Sequence, residues 1–255
     1  VSTLLHSTAT GQVWHGDSLA GLPGDEAVDL LLTDPPYSER THAKSDPATL
    51  AGPNSKPWVR PDGRGIDTPC NRRALNYNTW TPSDVARAVA AWHPRTRGWF
   101  CVLTDHELAR VWEAELAAAG RYVFAPLPCY SPGSRVRLAG DGPSSWTVWL
   151  VASRPRNVPY SKWGTLPGGY IYRPEPMPLV GGKPVSLMRA IVADYSRPGD
   201  LVCDPCCGAG STLEAAQDLG RRWLGVDICE EHARMAAGRM GAGLESGPLF
   251  AEVTP

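Results

Sequence analysis

Between Gly199 and Ile228 the chain reads GDLVCDPCCGAGSTLEAAQDLGRRWLGVDI, and this stretch limits the available folds more than any other. A short apolar run, Leu201–Cys203, meets Asp204-Pro205 and then Gly208-Ala209-Gly210 before a helix opening at Ser211. Glycines let a backbone turn sharply and lie close to a ligand, and the N–H groups of a helix start favour a carboxylate or phosphate. The next strand, Trp223–Val226, runs into Asp227, placed to accept hydrogen bonds from ribose hydroxyls. Strand, Gly-x-Gly, helix, strand and acid together are the signature of a nucleotide-cofactor fold. NAD would satisfy that signature in outline. Against it, the turn is D-P-x-x-G-x-G and not G-x-G-x-x-G, so no third glycine serves pyrophosphate packing.

A second strand-end motif stands in the other half of the chain. In VDLLLTDPPYSER, Val28 to Arg40, a buried-looking apolar run ends in an acid, two prolines and a tyrosine. Prolines end a strand because they lack a ladder donor. Read for packing alone, this is a strand and a tight turn. Read for chemistry, the strand holds a carboxylate and an aromatic ring rigidly at the edge of a sheet.

Short apolar runs alternating with helical patterns predict an α/β fold with a mainly parallel twisted sheet and a single domain over residues 1–255. Candidate strands are Gln12–His15, Val28–Thr33, Trp99–Leu103, Arg121–Ala125, Trp146–Ala152, Leu201–Cys203 and Trp223–Val226. A capping box at Thr104–Glu107 opens a helix that Gly120 closes, and Pro184 stands at the first position of another that ends at Arg197-Pro-Gly199. Helices are also predicted over Ser211–Leu219 and Cys229–Met240. Two stretches resist this pattern, Ser38–Thr81 and Pro126–Gly182. Irregular segments of that length inside a compact domain are usually functional or disordered. Aromatics and arginines within them suit stacking on bases, and ordinary packing of an insertion explains them equally well.

No run of about 18 or more apolar residues exists, so no membrane span is expected. The N-terminus has no basic segment followed by a long apolar stretch and does not read as a secretion signal. Seven cysteines, an odd number that includes adjacent Cys206 and Cys207, lack the spacing of a disulfide framework and fit a reducing cytoplasm. Cys203 and Cys206 are formally C-x-x-C, but no second pair follows, and no metal is expected. A net charge of −1 argues against non-specific nucleic-acid binding. The arginines are unevenly spread, with Arg135, Arg137, Arg154 and Arg156 close together and an acidic excess after residue 200.

Taken together, the two motifs resemble those of the amino-group DNA methyltransferases that use S-adenosyl-L-methionine. The family's words are [DNS]-P-P-[YFW] and D-P-[FC]-x-G-x-G-[ST]-T. Here they stand as Asp34-Pro35-Pro36-Tyr37 and Asp204-Pro205-Cys206-Cys207-Gly208-Ala209-Gly210-Ser211-Thr212. With the catalytic word first and the cofactor word last, the chain is similar to the beta group, a circular permutation of the Rossmann-like methyltransferase fold. His15-Gly16-Asp17-Ser18, Lys183-Pro184 and the run Gly220–Asp227 extend the likeness, which covers residues 12–37 and 181–240 well and the middle poorly. Cys206 in place of the commoner phenylalanine, and Ala209 in place of serine or threonine, are departures bearing on cofactor affinity.

The resemblance implies a catalytic set of Asp34, Pro35, Pro36 and Tyr37. Asp34 and the carbonyl of Pro35 would accept the N–H groups of an exocyclic amine, the prolines would fix the turn, and Tyr37 would stack on a base flipped from the duplex. It implies a cofactor set of Asp17 near the adenine, Asp227 on the ribose, Lys183 on the carboxylate, and Asp204, Pro205, Cys206, Gly208, Gly210, Ser211 and Thr212 around the methionine end. Residues 38–81 would close over the target base and 126–182 would read DNA, with Arg135, Arg137, Arg154 and Arg156 as contacts to phosphate or guanine. Double-stranded DNA, a second copy of the chain and a cognate restriction endonuclease are the partners such a protein would have. DPPY tilts the target towards adenine N6 over cytosine N4. An RNA methyltransferase and a catalytically inactive cofactor- or DNA-binding module are the competing readings.

Overall fold

The computed structural model describes residues 2–43, 78–132, 146–157, 163–179 and 181–245. Its strands are β1 (Thr3–Ser7), β2 (Gly11–His15), β3 (Val28–Thr33), β4 (Thr96–Thr104), β5 (Tyr122–Val123), β6 (Leu127–Ser131), β7 (Trp146–Arg154), β8 (Tyr170–Ile171), β9 (Leu201–Asp204) and β10 (Arg222–Asp227). Its α-helices are α1 (Glu39–Ala43), α2 (Pro82–Trp92), α3 (His106–Ala118), α4 (Val185–Tyr195), α5 (Ser211–Asp218) and α6 (Glu230–Glu245).

All ten strands belong to one sheet in the order β1-β2-β10-β9-β3-β4-β7-β6-β8, with β5 paired to β7. The central block β2-β10-β9-β3-β4 is parallel throughout. Its flanks are not: β1 meets β2 antiparallel, and β7 runs antiparallel to β4, β5 and β6. The sheet is therefore mixed, and its parallel part is the five-strand core. In that core β3 of the N-terminal half lies beside β9 of the C-terminal half, as a permuted order requires.

The strands are buried on both faces, as the alternation in β3 and β4 shows. Leu30, Leu32, Trp99, Cys101 and Leu103 join Val202 and Trp223 under α4, α5 and α6. Leu31, Phe100, Val102, Leu201 and Cys203 pack on the other face against Val85, Val89 and Trp92 of α2 and Leu108, Trp112 and Leu116 of α3. Helices on both faces of a parallel block make a three-layer α/β domain.

Several local readings shift by a residue or more. Helix α3 is capped by Asp105 and not by a Thr104 box: its side chain accepts the Leu108 N–H. Pro184 is the N-cap of α4, one position earlier than predicted. The strand expected over Arg121–Ala125 is only Tyr122–Val123, because Arg121 turns inward and donates to Ser153 and to the carbonyls of Thr96 and Ser153. Strands β1, β6 and β8 and helices α1 and α2 have no counterpart among the predicted elements. For α2 a signal was present: Thr81 and Asp84 form a capping box with Pro82 at the helix start.

Candidate active site at the carboxyl edge of the sheet

Because the central block is parallel, all five strands deliver their C-terminal ends to one edge of the sheet. Each is followed by or ends in an aspartate: Asp17 two residues past β2, Asp227 ending β10, Asp204 ending β9, Asp34 after β3 and Asp105 after β4. Between β9 and β3 the chain changes direction across the sheet, β9 leading to β10 on one side and β3 to β4 on the other. Ligands of open α/β sheets bind at such a switch point. Asp204 and Asp34 flank it.

On one side stands the turn after β3. The Tyr37 hydroxyl donates to Asp34 Oδ1 at 2.7 Å. Lys183 Nζ donates to Asp34 Oδ2 at 2.5 Å and to the Gly181 carbonyl at 3.1 Å, and lies 5.0 Å from the centre of the Tyr37 ring. The Lys183 side chain is 8 % exposed and that of Asp34 19 %. The sequence reading set Lys183 apart from Asp34, as a contact for a cofactor carboxylate; the fold makes the two an ion pair. Tyr172, just past β8, has its hydroxyl pushed up to about 12 by burial and by the nearby charge of Asp34. It borders the same turn. Sequence spacing offered no sign of this, since β8 reaches the edge only by pairing with β6.

On the other side is the glycine turn. Gly208 and Gly210 have φ of 51° and 84°, a region that side chains with a Cβ rarely adopt. Asp227 spans the turn from beneath: Oδ2 accepts the Gly208 N–H and Oδ1 the Cys229 N–H, each at 2.8 Å. Burial raises its pKa. Asp204 is 3 % exposed, accepting the Cys206 N–H at 3.1 Å and the Thr212 hydroxyl at 2.5 Å. Burial pushes it up to about 7. Pro205, Ser211 and Thr212 are buried around it. Burial, then the neighbouring carboxylates, hold the Cys206 and Cys207 thiols protonated, as fits small apolar fillers. Asp17, exposed, caps a short 3-10 turn by accepting the Leu19 N–H. It still lies at the edge, since His15 of β2 is level with Asp227 of β10.

The residues present fit an adenosyl amino-acid cofactor. Helix α5 opens on Gly210 without a side-chain cap hydrogen bond, and N–H groups at such a helix start suit a carboxylate. Gly225 of β10 lets the turn sit close, because a Cβ there would stand 3.1 Å from Cys207 Sγ. Among the described residues no His, Cys, Asp and Glu grouping could hold a metal ion, and no helix is long and apolar enough to cross a membrane.

The proposed DNA contacts fare differently. Arg135 and Arg137 lie outside the described residues. Arg154 ends β7, whose antiparallel course carries it past Phe100 to the opposite edge from Asp34. There it is buried, lies 4.9 Å from the Tyr122 ring and 5.8 Å from that of Phe124, and donates to the Pro155 carbonyl. Arg156 follows it, exposed, at the same far edge. The structure thus gathers Asp34, Tyr37, Lys183, Asp204, Asp227 and Asp17 and leaves Arg154 and Arg156 apart.

Comparisons with known proteins agree with this geometry. Residues 155–238 match the family model described as DNA methylase. The chain is 26 % identical over 224 residues to the Escherichia coli (strain K12) protein YubD, which carries the name of a methylase, covering 88 % of this chain and 86 % of that one. A segment of 53 residues is 53 % identical to the type II methyltransferase M.EcaI of Enterobacter cloacae, covering 19 % of this chain and 12 % of the relative. The crystal structure of the M1.HpyAVI–SAM complex superposes with a TM-score of 0.59 at 18 % identity, over 90 % of this chain and 99 % of that one. Two strand-end words in permuted order, a sheet that brings them together and a family model matched over residues 155–238 make the chain similar to the N6/N4 DNA methylases.

Proposed function

We propose that the protein transfers the methyl group of S-adenosyl-L-methionine to the exocyclic N6 amine of an adenine in a specific DNA sequence. The observation that carries this reading is the meeting of Asp34-Pro35-Pro36-Tyr37 and Asp204–Thr212 at neighbouring strand ends, from opposite halves of the chain. When bound, the cofactor supplies a methyl group on a sulfonium. The Asp227 carboxylate would orient the ribose with the acceptor capacity left by its two backbone bonds, Asp17 would lie towards the adenine, and the open start of α5 would take the carboxylate. The carboxyl of Asp204, buried and bonded to the Cys206 N–H and the Thr212 hydroxyl, holds the turn in shape.

An exocyclic amine is a poor nucleophile because its lone pair is delocalised into the ring. Asp34 and the Pro35 carbonyl would accept its two N–H bonds, favouring a pyramidal nitrogen and stabilising the positive charge that grows on it. A carboxylate has about four lone-pair directions, so Asp34 can receive an amine while still bonded to Tyr37. The Tyr37 ring, fixed by its hydroxyl, would stack on the flipped base. We assign residues 38–81 to closure over that base and residues 126–182 to target reading. Tyr172 and the exposed Arg173 at the site edge are better placed than Arg154 to meet DNA.

The test is one reaction containing protein, unmethylated DNA and methyl-labelled S-adenosyl-L-methionine, digested to nucleosides and read by mass spectrometry beside Asp34→Ala. N6-methyladenine, lost in the variant, is the expected result. N4-methylcytosine would keep the chemistry and change the base. Cofactor binding without label in any DNA would overturn the reading in favour of an RNA substrate or a non-catalytic module.

A further inference from the structure

A buried carboxylate that sequence reasoning passed over controls the far side of the Tyr37 turn. Asp105 follows β4 and is 2 % exposed. Its two oxygens have separate tasks. Oδ1 accepts the Leu108 N–H at 3.0 Å and so caps α3. Oδ2 accepts three donors from a segment more than sixty residues away: the Ser38 N–H at 2.9 Å, the Ser38 hydroxyl at 2.5 Å and the Thr41 hydroxyl at 2.6 Å. These bonds hold its pKa below the usual carboxylate range despite burial, which acts in the opposite direction.

Capping a helix needs one oxygen, and serine or threonine would serve as well. The second oxygen does something a cap does not require. Ser38 is the residue after Tyr37, and it is buried. On its other side the turn is held by β3, where Thr33 is level with Val102 of β4. The Tyr37 carbonyl accepts the Trp80 N–H at 3.0 Å, and Trp80 packs 6.0 Å from Trp92 and 6.1 Å from Trp112. The backbone of Tyr37 is thus fixed before it, at it and after it, and Asp105 supplies the last of these restraints.

We propose that Asp105 is a positioning residue: by holding Ser38 and Thr41 it sets the direction of the Tyr37 ring, and with it the Tyr37 hydroxyl on Asp34 and the face offered to a flipped base. This rests on the reading of Asp34 and Tyr37 as amine acceptor and base platform. Misplacing a reacting or supporting group by about 1 Å can lower a rate on the order of 100-fold, so the effect belongs in turnover and not in cofactor affinity.

Three proteins test it beside the wild type. Asp105→Ser keeps a helix cap and loses the reach to Ser38. Ser38→Ala/Thr41→Val removes two of the donors and leaves the Asp105 cap intact. The triple variant combines them. For each, kcat and KM for unmethylated DNA, the Kd for S-adenosyl-L-methionine by calorimetry and the thermal midpoint are measured. The expected result is a fall in kcat of roughly 10- to 100-fold in both partial variants. The cofactor Kd should not change, and the triple variant should be no worse than Asp105→Ser alone. Unchanged kcat, a fall that follows cofactor Kd, or additive losses would overturn the proposal.

A second measurement separates this proposal from the reading beneath it. Thermal unfolding of Asp105→Ser, Tyr37→Phe and the double variant forms a cycle that needs no turnover. Non-additive shifts in midpoint are expected, and additive shifts sink the geometric link. If that link holds while DNA receives no methyl group from the wild type, the assigned reaction has failed and the positioning contact has not.

Discussion

Lys183 Nζ lies 2.5 Å from Asp34 Oδ2, joining two residues 149 positions apart, one just before α4 and the other just after β3. The lysine is nearly buried and the aspartate mostly so. Removing one partner of such a pair leaves an uncompensated charge, at a cost of about 3–5 kcal/mol for a fully buried pair and less here because Asp34 keeps some solvent. Lys183→Met and Asp34→Asn should each lower the thermal midpoint. Combining them should restore most of the stability without restoring methyl transfer. A double variant as unstable as the sum of the two would show that the residues do not depend on each other.

Tyr37 has two separable contributions. Tyr37→Phe keeps the ring and loses the 2.7 Å bond to Asp34; hydrogen bonds to charged groups contribute about 1.5–3 kcal/mol. We expect kcat to fall on the order of 10- to 100-fold with DNA affinity retained. Tyr37→Ala should also weaken binding of DNA, since base–aromatic stacking contributes about 1–3 kcal/mol. Equal DNA affinity in the two variants would rule out a stacking role for the ring.

Asp204 gives a pH signature. Its folded-state pKa of about 7 lies above the unfolded value near 3.8, so the folded state binds the proton more tightly. Its contribution to stability is therefore fully present below pH 4 and is lost as pH rises towards 7. Asp204→Asn carries no proton to lose and can still accept from Cys206. The variant should lack this part of the decline in thermal midpoint between pH 4 and pH 7, a difference on the order of a few kcal/mol. Parallel pH profiles for the two proteins would contradict the assignment.

Gly225 tests the closeness of the cofactor turn to the sheet. A Cβ there would stand 2.5 Å from Leu213 Cδ1 as well as 3.1 Å from Cys207 Sγ. Gly225→Ala should destabilise by about 1–3 kcal/mol, as overpacking of a core does. It should also raise the cofactor Kd, because both neighbours belong to the turn and to α5. An unchanged Kd measured by calorimetry would separate the strand from the binding site.

The parallel core was legible because its strands are continuous apolar runs buried on both faces, and its two chemical words stand where such runs end. Asp34, Tyr37 and the glycine turn stand where those runs end, and the resemblance of both words to the amino-group methyltransferases supplied their expected roles. What sequence did not convey depends on partners distant in the chain. β6 carries Pro128 and has little strand character of its own; pairing with β7 makes it a strand. The far-edge location of Arg154 follows from the direction of β7, which no local pattern encodes. Asp105 read only as an inner position of the Thr104–Glu107 pattern, because the partner of its second oxygen, Ser38, is 67 residues away. Lys183 fits the same description. Its basic side chain was visible, and its partner was not.

The pairing of β3 with β9 also governs how the protein comes into being on the ribosome. Asp29 of β3 accepts the backbone N–H of Leu201, 172 residues further along, so one edge of VDLLLT has no neighbour until that stretch has been made. At about 5–20 residues per second the delay is roughly 10–30 s. Until then the apolar stretch lacks the neighbour that pairs its edge, and an unpaired strand edge is the kind of surface that invites wrong partners. This order of elements places Asp34 and its strand early in the chain and the strand's sheet neighbour late.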